Sequence, residues 1–170
     1  MNDGASIRGK AWLFGDHVDT DVIIPVRYCT AFTKEELGPY AMAGLDPAFA
    51  SKVALGDIVV GGVNFGCGSS RENAPLALLG AGVGAVVASS FGRIFFRNSI
   101  NVGLPIIECP ELVAECRQGD ELILSPLKGE AANERLGKNY LVSPYPESIV
   151  NIVEAGGLTP YVRERLRSKG

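Results

Sequence analysis

The sequence predicts an α/β fold in which helices flank a partly parallel central sheet. Short apolar runs that resemble strands alternate with helical segments between Asp57 and Cys109, a pattern typical of parallel strands joined by helices. The run from Gly82 to Ala88 consists of small apolar residues, as expected for a strand that is covered on both faces. With 170 residues and a hydrophobic fraction of 46%, the chain is expected to form one domain over residues 1–170.

Six apolar runs are predicted strands, and turn residues separate them. Two of these runs follow Gly-Asp pairs, Gly56-Asp57 and Gly119-Asp120, which indicates that each strand is entered from a turn. In chain order the predicted strands are residues 11–14, 58–63, 82–88, 105–109, 122–124 and 140–142.

Four segments between or after these strands are predicted helices. Their ends carry familiar signals, since Gly103 closes one helix and Pro146 suits the first turn of another. Thr159 and Pro160 are typical of an N-cap and a first turn. The predicted helices are residues 74–79, 91–101, 146–155 and 160–167.

Charge and cysteine usage narrow the classes of function. The 16 basic and 19 acidic residues give a net charge of −3 without a basic run, which argues against a nucleic-acid partner. No apolar run reaches the roughly 20 residues that cross a bilayer, and the N-terminus does not match a signal peptide, so no membrane association is expected. The four cysteines lack disulfide-framework spacing, which favours a cytoplasmic location. With His17 as the one histidine, a histidine-based triad is nearly excluded.

Residues 66–72, Gly-Cys-Gly-Ser-Ser-Arg-Glu, form the most informative motif and directly follow a predicted strand. Glycine lets backbone amides approach a ligand, and a serine beside an arginine can handle a proton next to a bound carboxylate. Ser69 and Glu72 also have the spacing of a capping box. Pro75 argues against that alternative, because a helix capped by Ser69 would hold a proline in its interior. A helix that begins near Glu72 or Asn73 leaves the serines on the loop, available to a ligand.

An acidic cluster at residues 16–21 places three aspartates before an apolar run. A solvated turn that caps the following segment is the commoner explanation for such a cluster. A calcium or magnesium site is improbable here, because the glycine and the downstream glutamate of an EF-hand loop are missing. No metal ligand is therefore assigned to this chain.

A third motif, at residues 89–103, combines two arginines with three phenylalanines. On a helix, Arg93 and Arg97 lie one turn apart on the same face, where like charges repel mildly. They would be expected to share an anion or acidic residues, although two exposed arginines are the commoner explanation.

Together these motifs resemble one enzyme family. Residues 18–25, 64–72 and 90–98 occur in this order in the small subunits of 3-isopropylmalate dehydratase, homoaconitase and related dehydratases, which correspond to the swivelling domain of aconitase. The resemblance covers nearly the whole chain and implies a swivelling β/β/α domain. It also implies a hydro-lyase subunit, most simply one that isomerises 2-isopropylmalate to 3-isopropylmalate in leucine biosynthesis by dehydration and rehydration.

The resemblance implies that two chains divide the chemistry. A large subunit would hold a [4Fe–4S] cluster with one open iron site, and this chain would bind no cofactor, consistent with cysteines that lack cluster spacing. The reaction needs a Lewis acid for the hydroxyl group, a base for the α-proton and cations for the carboxylates. This chain would supply the base and the groups that bind a small hydroxy-dicarboxylate.

The match to the glycine-rich motif implies specific roles on one loop. Ser69 would be the base, acting as an alkoxide that Arg71 and the backbone amides around Gly66 and Gly68 stabilise. Arg71 would also bind a substrate carboxylate, with Ser70 as an added donor.

The other two motifs would carry supporting roles. Asp21 matches the acidic position of the family's Thr-Asp motif, where it would orient or neutralise a nearby cation as a third catalytic residue. Arg93 would support the catalytic loop rather than touch the substrate.

The loop at residues 26–32 is where the resemblance locates substrate choice. Homoaconitases place an arginine there for an additional carboxylate, and the matching position here is Thr30, which favours a dicarboxylate with an apolar side group. Cys29 replaces the family's usual leucine, so 2,3-dimethylmalate dehydratase stays an alternative. Homoaconitase and a non-catalytic binding module of the same fold are further alternatives. The substrate-binding candidates are Arg27, Tyr28, Thr30, Ser70 and Gly68.

Overall fold

A seven-stranded mixed sheet forms the centre of the computed structural model, which describes residues 6–30, 32–68 and 71–168. Its strands are β1 (Ile7–Leu13), β2 (Ile58–Gly61), β3 (Ala85–Ala88), β4 (Ile106–Glu108), β5 (Glu121–Ser125), β6 (Glu130–Asn133) and β7 (Lys138–Leu141). Their spatial order is β4-β3-β2-β1-β5-β6-β7. Strands β1 to β4 are parallel, whereas β5 pairs antiparallel with β1 and the remaining strands continue that pattern. The predicted α/β class with a partly parallel sheet is confirmed.

Helices flank this sheet on both faces. In the described residues they are α1 (Thr20–Ile23), α2 (Lys34–Leu37), α3 (Phe49–Lys52), α4 (Asn73–Gly80), α5 (Arg93–Val102), α6 (Pro110–Glu115), α7 (Glu147–Glu154) and α8 (Leu158–Arg167). Short 3₁₀ turns at Val26–Tyr28 and Gly38–Tyr40 lie between α1 and α3.

Alternate residues of β2 point into two separate apolar clusters. Val59 belongs to the cluster that contains Leu78 of α4 and Phe95 of α5. Val60 belongs to the opposite cluster, which contains Leu112 of α6. Because both faces are covered, every residue of β2 and β3 is buried, which is why these strands consist of small and β-branched apolar residues.

The Gly119-Asp120 pair before β5 carries a buried carboxylate. Asp120 Oδ1 is 2.5 Å from the Arg135 Nε, and Oδ2 accepts hydrogen bonds from the Asn133 Nδ2–H (2.8 Å) and the Arg117 backbone N–H (2.9 Å). The hydrogen bond from Arg135 holds the pKa of Asp120 well below its usual range. This aspartate therefore fixes the start of β5 against the turn that follows β6.

The predicted starts of β1 and β3 are wrong. Strand β1 begins at Ile7 instead of residue 11, because Ile7 to Lys10 pair with β5 in spite of their mixed polarity. Strand β3 begins at Ala85 instead of residue 82, because Gly82 has a φ of +95° that takes it out of the extended region. Strand β6 was not predicted at all, since its Glu-Ala-Ala-Asn sequence has no strand propensity.

The four predicted helices are present, and their boundaries differ slightly from the predicted ones. Helix α8 begins at Leu158 rather than Pro160. Gly157, with a φ of +121°, occupies the N-cap position that was predicted for Thr159. Helix α7 starts directly after Pro146 and α5 ends at Gly103 in a left-handed conformation, close to the predicted positions. Helices α1, α2, α3 and α6 have between four and six residues, too short to show an amphipathic period in the sequence.

Candidate active site

Two loops meet at the carboxyl ends of β1 and β2, the position where open α/β sheets bind ligands. The Gly66 N–H donates to the Val18 carbonyl (2.7 Å), and the Thr20 N–H donates to the Cys67 carbonyl (2.8 Å). These bonds form an isolated parallel bridge between Asp19 and Cys67. The glycine-rich motif and the acidic cluster, far apart in the sequence, are thus held side by side.

A third loop, after β3, joins the same edge. The Phe65 N–H donates to the Ser90 carbonyl (2.9 Å), and the Gly92 N–H donates to the Phe65 carbonyl (2.9 Å). The Ser90 hydroxyl also accepts the Asn64 N–H (2.8 Å), so its side chain helps to fix the turn before the glycine-rich loop. Ser90 belongs to the third motif, but its residue type alone gave no indication of this contact.

Asp19 connects the acidic cluster to the glycine-rich loop. It is the N-cap of α1, and its Oδ1 accepts the Asp21 N–H (2.7 Å). Gly68 lies against the same carboxylate with a φ of +105°, and a Cβ at this position would be 2.6 Å from Oδ1. The interpretation of the cluster as a cap is therefore correct for Asp19, and the Gly68 position accepts no side chain.

Asp21 lies in the first turn of α1, and its side chain is exposed. Within the described ranges, no hydrogen bond or ion pair involves that carboxylate, although its backbone N–H is held by Asp19. The structure therefore leaves Asp21 accessible at the site edge, and its catalytic role stays a prediction.

The helix after the motif begins where Pro75 indicated. Helix α4 starts at Asn73 with Glu72 in the N-cap position and no side-chain cap, and Pro75 is tolerated in its first turn. The alternative in which Ser69 caps this helix is wrong. Arg71 is exposed directly before the helix, whereas Ser69 and Ser70 lie outside the described residues, so their roles stay predictions.

Two backbone amides of the glycine-rich loop differ in whether they can donate to a ligand. The Gly66 N–H is used by the Val18 carbonyl and cannot stabilise an alkoxide, which corrects the expectation for that group. Among the described residues the Gly68 N–H has no acceptor, so it can still serve a ligand. Gly66 is glycine for another reason, since its φ is +77° and a Cβ there would overlap the Phe95 ring.

The Cys67 thiol sits half-buried between the two glycines. Burial, together with the negative charge of Asp19, raises the pKa of Cys67 above its ordinary value. The thiol is therefore held in its protonated form at neutral pH, which argues against a nucleophilic role.

Residues 26–30 form a stacked arrangement near the end of α1. The Arg27 guanidinium lies over the Tyr28 ring at 4.7 Å from its centroid, and Tyr28 stacks on Tyr40 with a centroid distance of 4.1 Å. Tyr40 was missed because it comes from a distant turn without any motif. Thr30 is exposed, and no described hydrogen bond or ion pair connects these residues with the glycine-rich loop, so substrate contact stays a prediction.

The cysteines do not form a set of cluster ligands. Cys109 and Cys116 are buried, Cys29 and Cys67 are half-buried, and no group of three or more potential metal ligands comes together in the described part of the chain. The residues described here do not fit an iron–sulfur cluster.

Comparison with known proteins adds to this geometry. The small subunit of isopropylmalate/citramalate isomerase from Methanocaldococcus jannaschii is 51% identical over 160 residues, covering 94% of this chain and 95% of the relative. The 3-isopropylmalate dehydratase small subunit from Moorella thermoacetica is 49% identical, covering 95% of this chain and 98% of the relative. This chain belongs to the 3-isopropylmalate dehydratase small-subunit family. That family is a hydro-lyase family, and a small subunit implies a large subunit as partner.

Two further comparisons agree with this family. The aconitase C-terminal domain family matches residues 45–112, which include the glycine-rich motif and the third motif. A crystal structure of 3-isopropylmalate dehydratase from Methanocaldococcus jannaschii superimposes with a TM-score of 0.89 at 42% identity, covering 97% of this chain and 99% of that one. The expected swivelling fold of the 3-isopropylmalate dehydratase small subunits is thereby confirmed. No helix within the described residues is long and apolar enough to span a membrane.

Proposed function

We propose that this chain is the small subunit of a dehydratase that interconverts 2-isopropylmalate and 3-isopropylmalate in leucine biosynthesis. The observation that carries the proposal is the contact between Asp19 and Gly68, which fixes the glycine-rich loop at the carboxyl ends of the parallel strands. Arg71 is exposed beside that loop, where a substrate carboxylate can reach it. The identity of about 50% to named small subunits over nearly the full chain supports the same function.

In this proposal Ser69 removes the α-proton and Arg71 binds a carboxylate. A serine hydroxyl needs strong stabilisation of its negative charge before it can act as a base. The Gly68 N–H is available for this purpose, but the Asp19 carboxylate beside Gly68 opposes a second negative charge. Arg71 and the bound complex must therefore supply the compensating positive charge, so the base should be weak in the isolated chain.

The geometry also supports a division between two chains. The described residues offer no ligand set for a metal, and the loops that carry the site lie at the carboxyl ends of β1 and β2. A [4Fe–4S] cluster on the large subunit would supply the Lewis acid for the hydroxyl group. This chain would orient the substrate and move its proton. A single domain over residues 1–170 and a cytoplasmic location both stay predictions.

Substrate choice is proposed to lie with residues 26–32. Thr30 lacks the charge that would hold an additional carboxylate, and the cationic group of Arg27 is held over Tyr28. A dicarboxylate with an apolar substituent suits this loop best. The relative named isopropylmalate/citramalate isomerase makes citramalate the first additional substrate to test.

The direct test is anaerobic reconstitution with the large subunit of the same organism, following conversion of 2-isopropylmalate. Ser69→Ala is expected to lower kcat by roughly 10²- to 10⁴-fold, the range of general base catalysis. Ser51→Ala, an exposed serine on α3, is the matched control and should retain full activity. Full activity of Ser69→Ala would exclude the proposed base. A substrate panel with citramalate, 2,3-dimethylmalate, citrate and homocitrate would identify the substrate, and a preference for homocitrate would overturn the proposed one.

A further inference from the structure

The outward face of α5 carries two arginines that have no acidic partner among the described residues. Arg93 and Arg97 are both exposed and lie one turn apart, so they share this face. In the described part of the chain neither guanidinium forms an ion pair or a hydrogen bond. The expectation that Arg93 supports the catalytic loop is therefore not met, since that support comes from the neighbouring Gly92 backbone.

This arrangement is electrostatically unfavourable in the free chain. Arg93 is the first residue of α5, where the positive end of the helix dipole disfavours a cation. The first turn contains no acidic residue that would compensate, and Arg97 adds a like charge one turn later. A local conflict of this kind is typical of residues whose partner lies on another molecule.

The two charges lie beside an exposed apolar side chain, and this end of α5 is next to the candidate active site. Ile94 is 46% exposed beside them. Gly92 approaches the glycine-rich loop so closely that a Cβ would be 2.8 Å from the Gly66 carbonyl oxygen. Any chain that covers the catalytic loop from this side therefore also reaches Arg93 and Ile94.

From these observations we infer that the α5 face formed by Arg93, Ile94 and Arg97 is a docking surface for an acidic patch on the large subunit. The inference rests on the proposed function, which requires a second chain at this edge. A second copy of this chain is a poor occupant, because a symmetric contact would bring the same arginines together. A small substrate anion is the competing occupant, and the test below separates it from the large subunit through KM.

The test measures binding of the purified large subunit to the full-length chain under anaerobic conditions at several salt concentrations. The double variant Arg93→Glu/Arg97→Glu is expected to weaken the complex at least tenfold at low salt, and the difference should shrink as salt screens the charges. The variant Arg93→Gln/Arg97→Gln should show a smaller loss. Circular dichroism and thermal unfolding would establish that each variant is folded.

The matched control is Arg163→Glu/Arg167→Glu, which reverses two exposed arginines at the same spacing on α8. This control should bind the large subunit as tightly as the unmodified chain. Equal binding by the α5 variants, or an unchanged dissociation constant with a raised KM, would overturn the inference while leaving the proposed function intact. Failure of the unmodified chain to bind the large subunit would instead overturn the proposed function.

Discussion

The Asp19 carboxylate lies directly against Gly68, so the loops that follow β1 and β2 are in contact with no room for a side chain between them. An ideal Cβ at residue 68 would be 2.6 Å from Oδ1 and 2.7 Å from Oδ2. The same Oδ1 accepts the Asp21 N–H at the start of α1. The Asp19 carboxylate therefore links the acidic cluster to the glycine-rich loop.

Gly68→Ala should displace the loop that carries Ser69. A shift of about 1 Å in a catalytic group can reduce activity by roughly 100-fold, so a loss of that size in kcat/KM is expected in the reconstituted enzyme. Gly119→Ala is a matched control, because Gly119 also has a positive φ, of +83°, but an added Cβ would meet nothing within 4 Å. Equal activity of the two variants would contradict the steric explanation.

Asp19→Asn should change the reactivity of Cys67 without removing the helix cap, since asparagine caps as well as aspartate. Burial raises the pKa of Cys67 most, and the Asp19 charge raises it further, so removal of that charge should lower the pKa. The rate of alkylation by iodoacetamide as a function of pH, measured in a Cys29→Ser background, checks this. An unchanged pH profile would show that the Asp19 charge does not reach the thiol.

Arg135→Ala should destabilise the fold through Asp120. Loss of hydrogen bonds to this buried carboxylate should reduce the free energy of unfolding by about 2 kcal/mol at pH 7. The folded-state pKa of Asp120 is lowered, so this stabilisation is present above the unfolded pKa of about 3.9 and is lost as the pH falls through the folded value. Urea unfolding at several pH values should therefore show a difference from the unmodified chain that shrinks in acid.

Arg117→Ala is the control for that series, because it removes an exposed guanidinium near the same turn and keeps the backbone N–H that Asp120 accepts. Its free energy of unfolding should change little at any pH. A loss as large as that of Arg135→Ala would assign the effect to the turn itself instead of the ion pair.

Tyr145→Phe should weaken the open edge of β4. The Tyr145 hydroxyl accepts the Ile106 N–H (2.8 Å) and donates to the Ile106 carbonyl, so phenylalanine would leave both backbone groups without that partner. A loss of about 1–3 kcal/mol in the free energy of unfolding is expected. Burial raises the pKa values of Tyr140 and Tyr145 to about 12, so spectrophotometric titration should show two late-ionising tyrosines in the unmodified chain and one in the variant. Unfolding at the same denaturant concentration for both proteins would contradict this role.

Much of the fold was accessible from the sequence because its strongest elements are locally encoded. Strands β2 and β3 are continuous apolar runs, and α5 ends at a glycine with the expected left-handed conformation. Strand β6 and helices α1 to α3 could not be predicted, because they are short and depend on pairing or packing with distant segments.

For the candidate site, the sequence motifs identified the loops that form it. Pro75 indicated the start of α4 from local rules alone. The sequence did not indicate that the Gly66 N–H is already used by Val18, since this hydrogen bond joins residues far apart in the chain. The stacking of Tyr28 on Tyr40 was hidden for the same reason.

The sequence by itself determined the α/β class and the glycine-rich loop, because spacing and residue type specify these directly, and its three motifs carried the resemblance to the family. Only the tertiary structure decided that Asp19 fixes Gly68, that Ser90 holds the turn at Asn64, and that Arg93 has no ion-pair or hydrogen-bond partner among the described residues. The physical reason is that parallel strands bring their carboxyl ends to one edge. Contacts between loops separated by dozens of residues then arise from strand order and register, which no local pattern encodes.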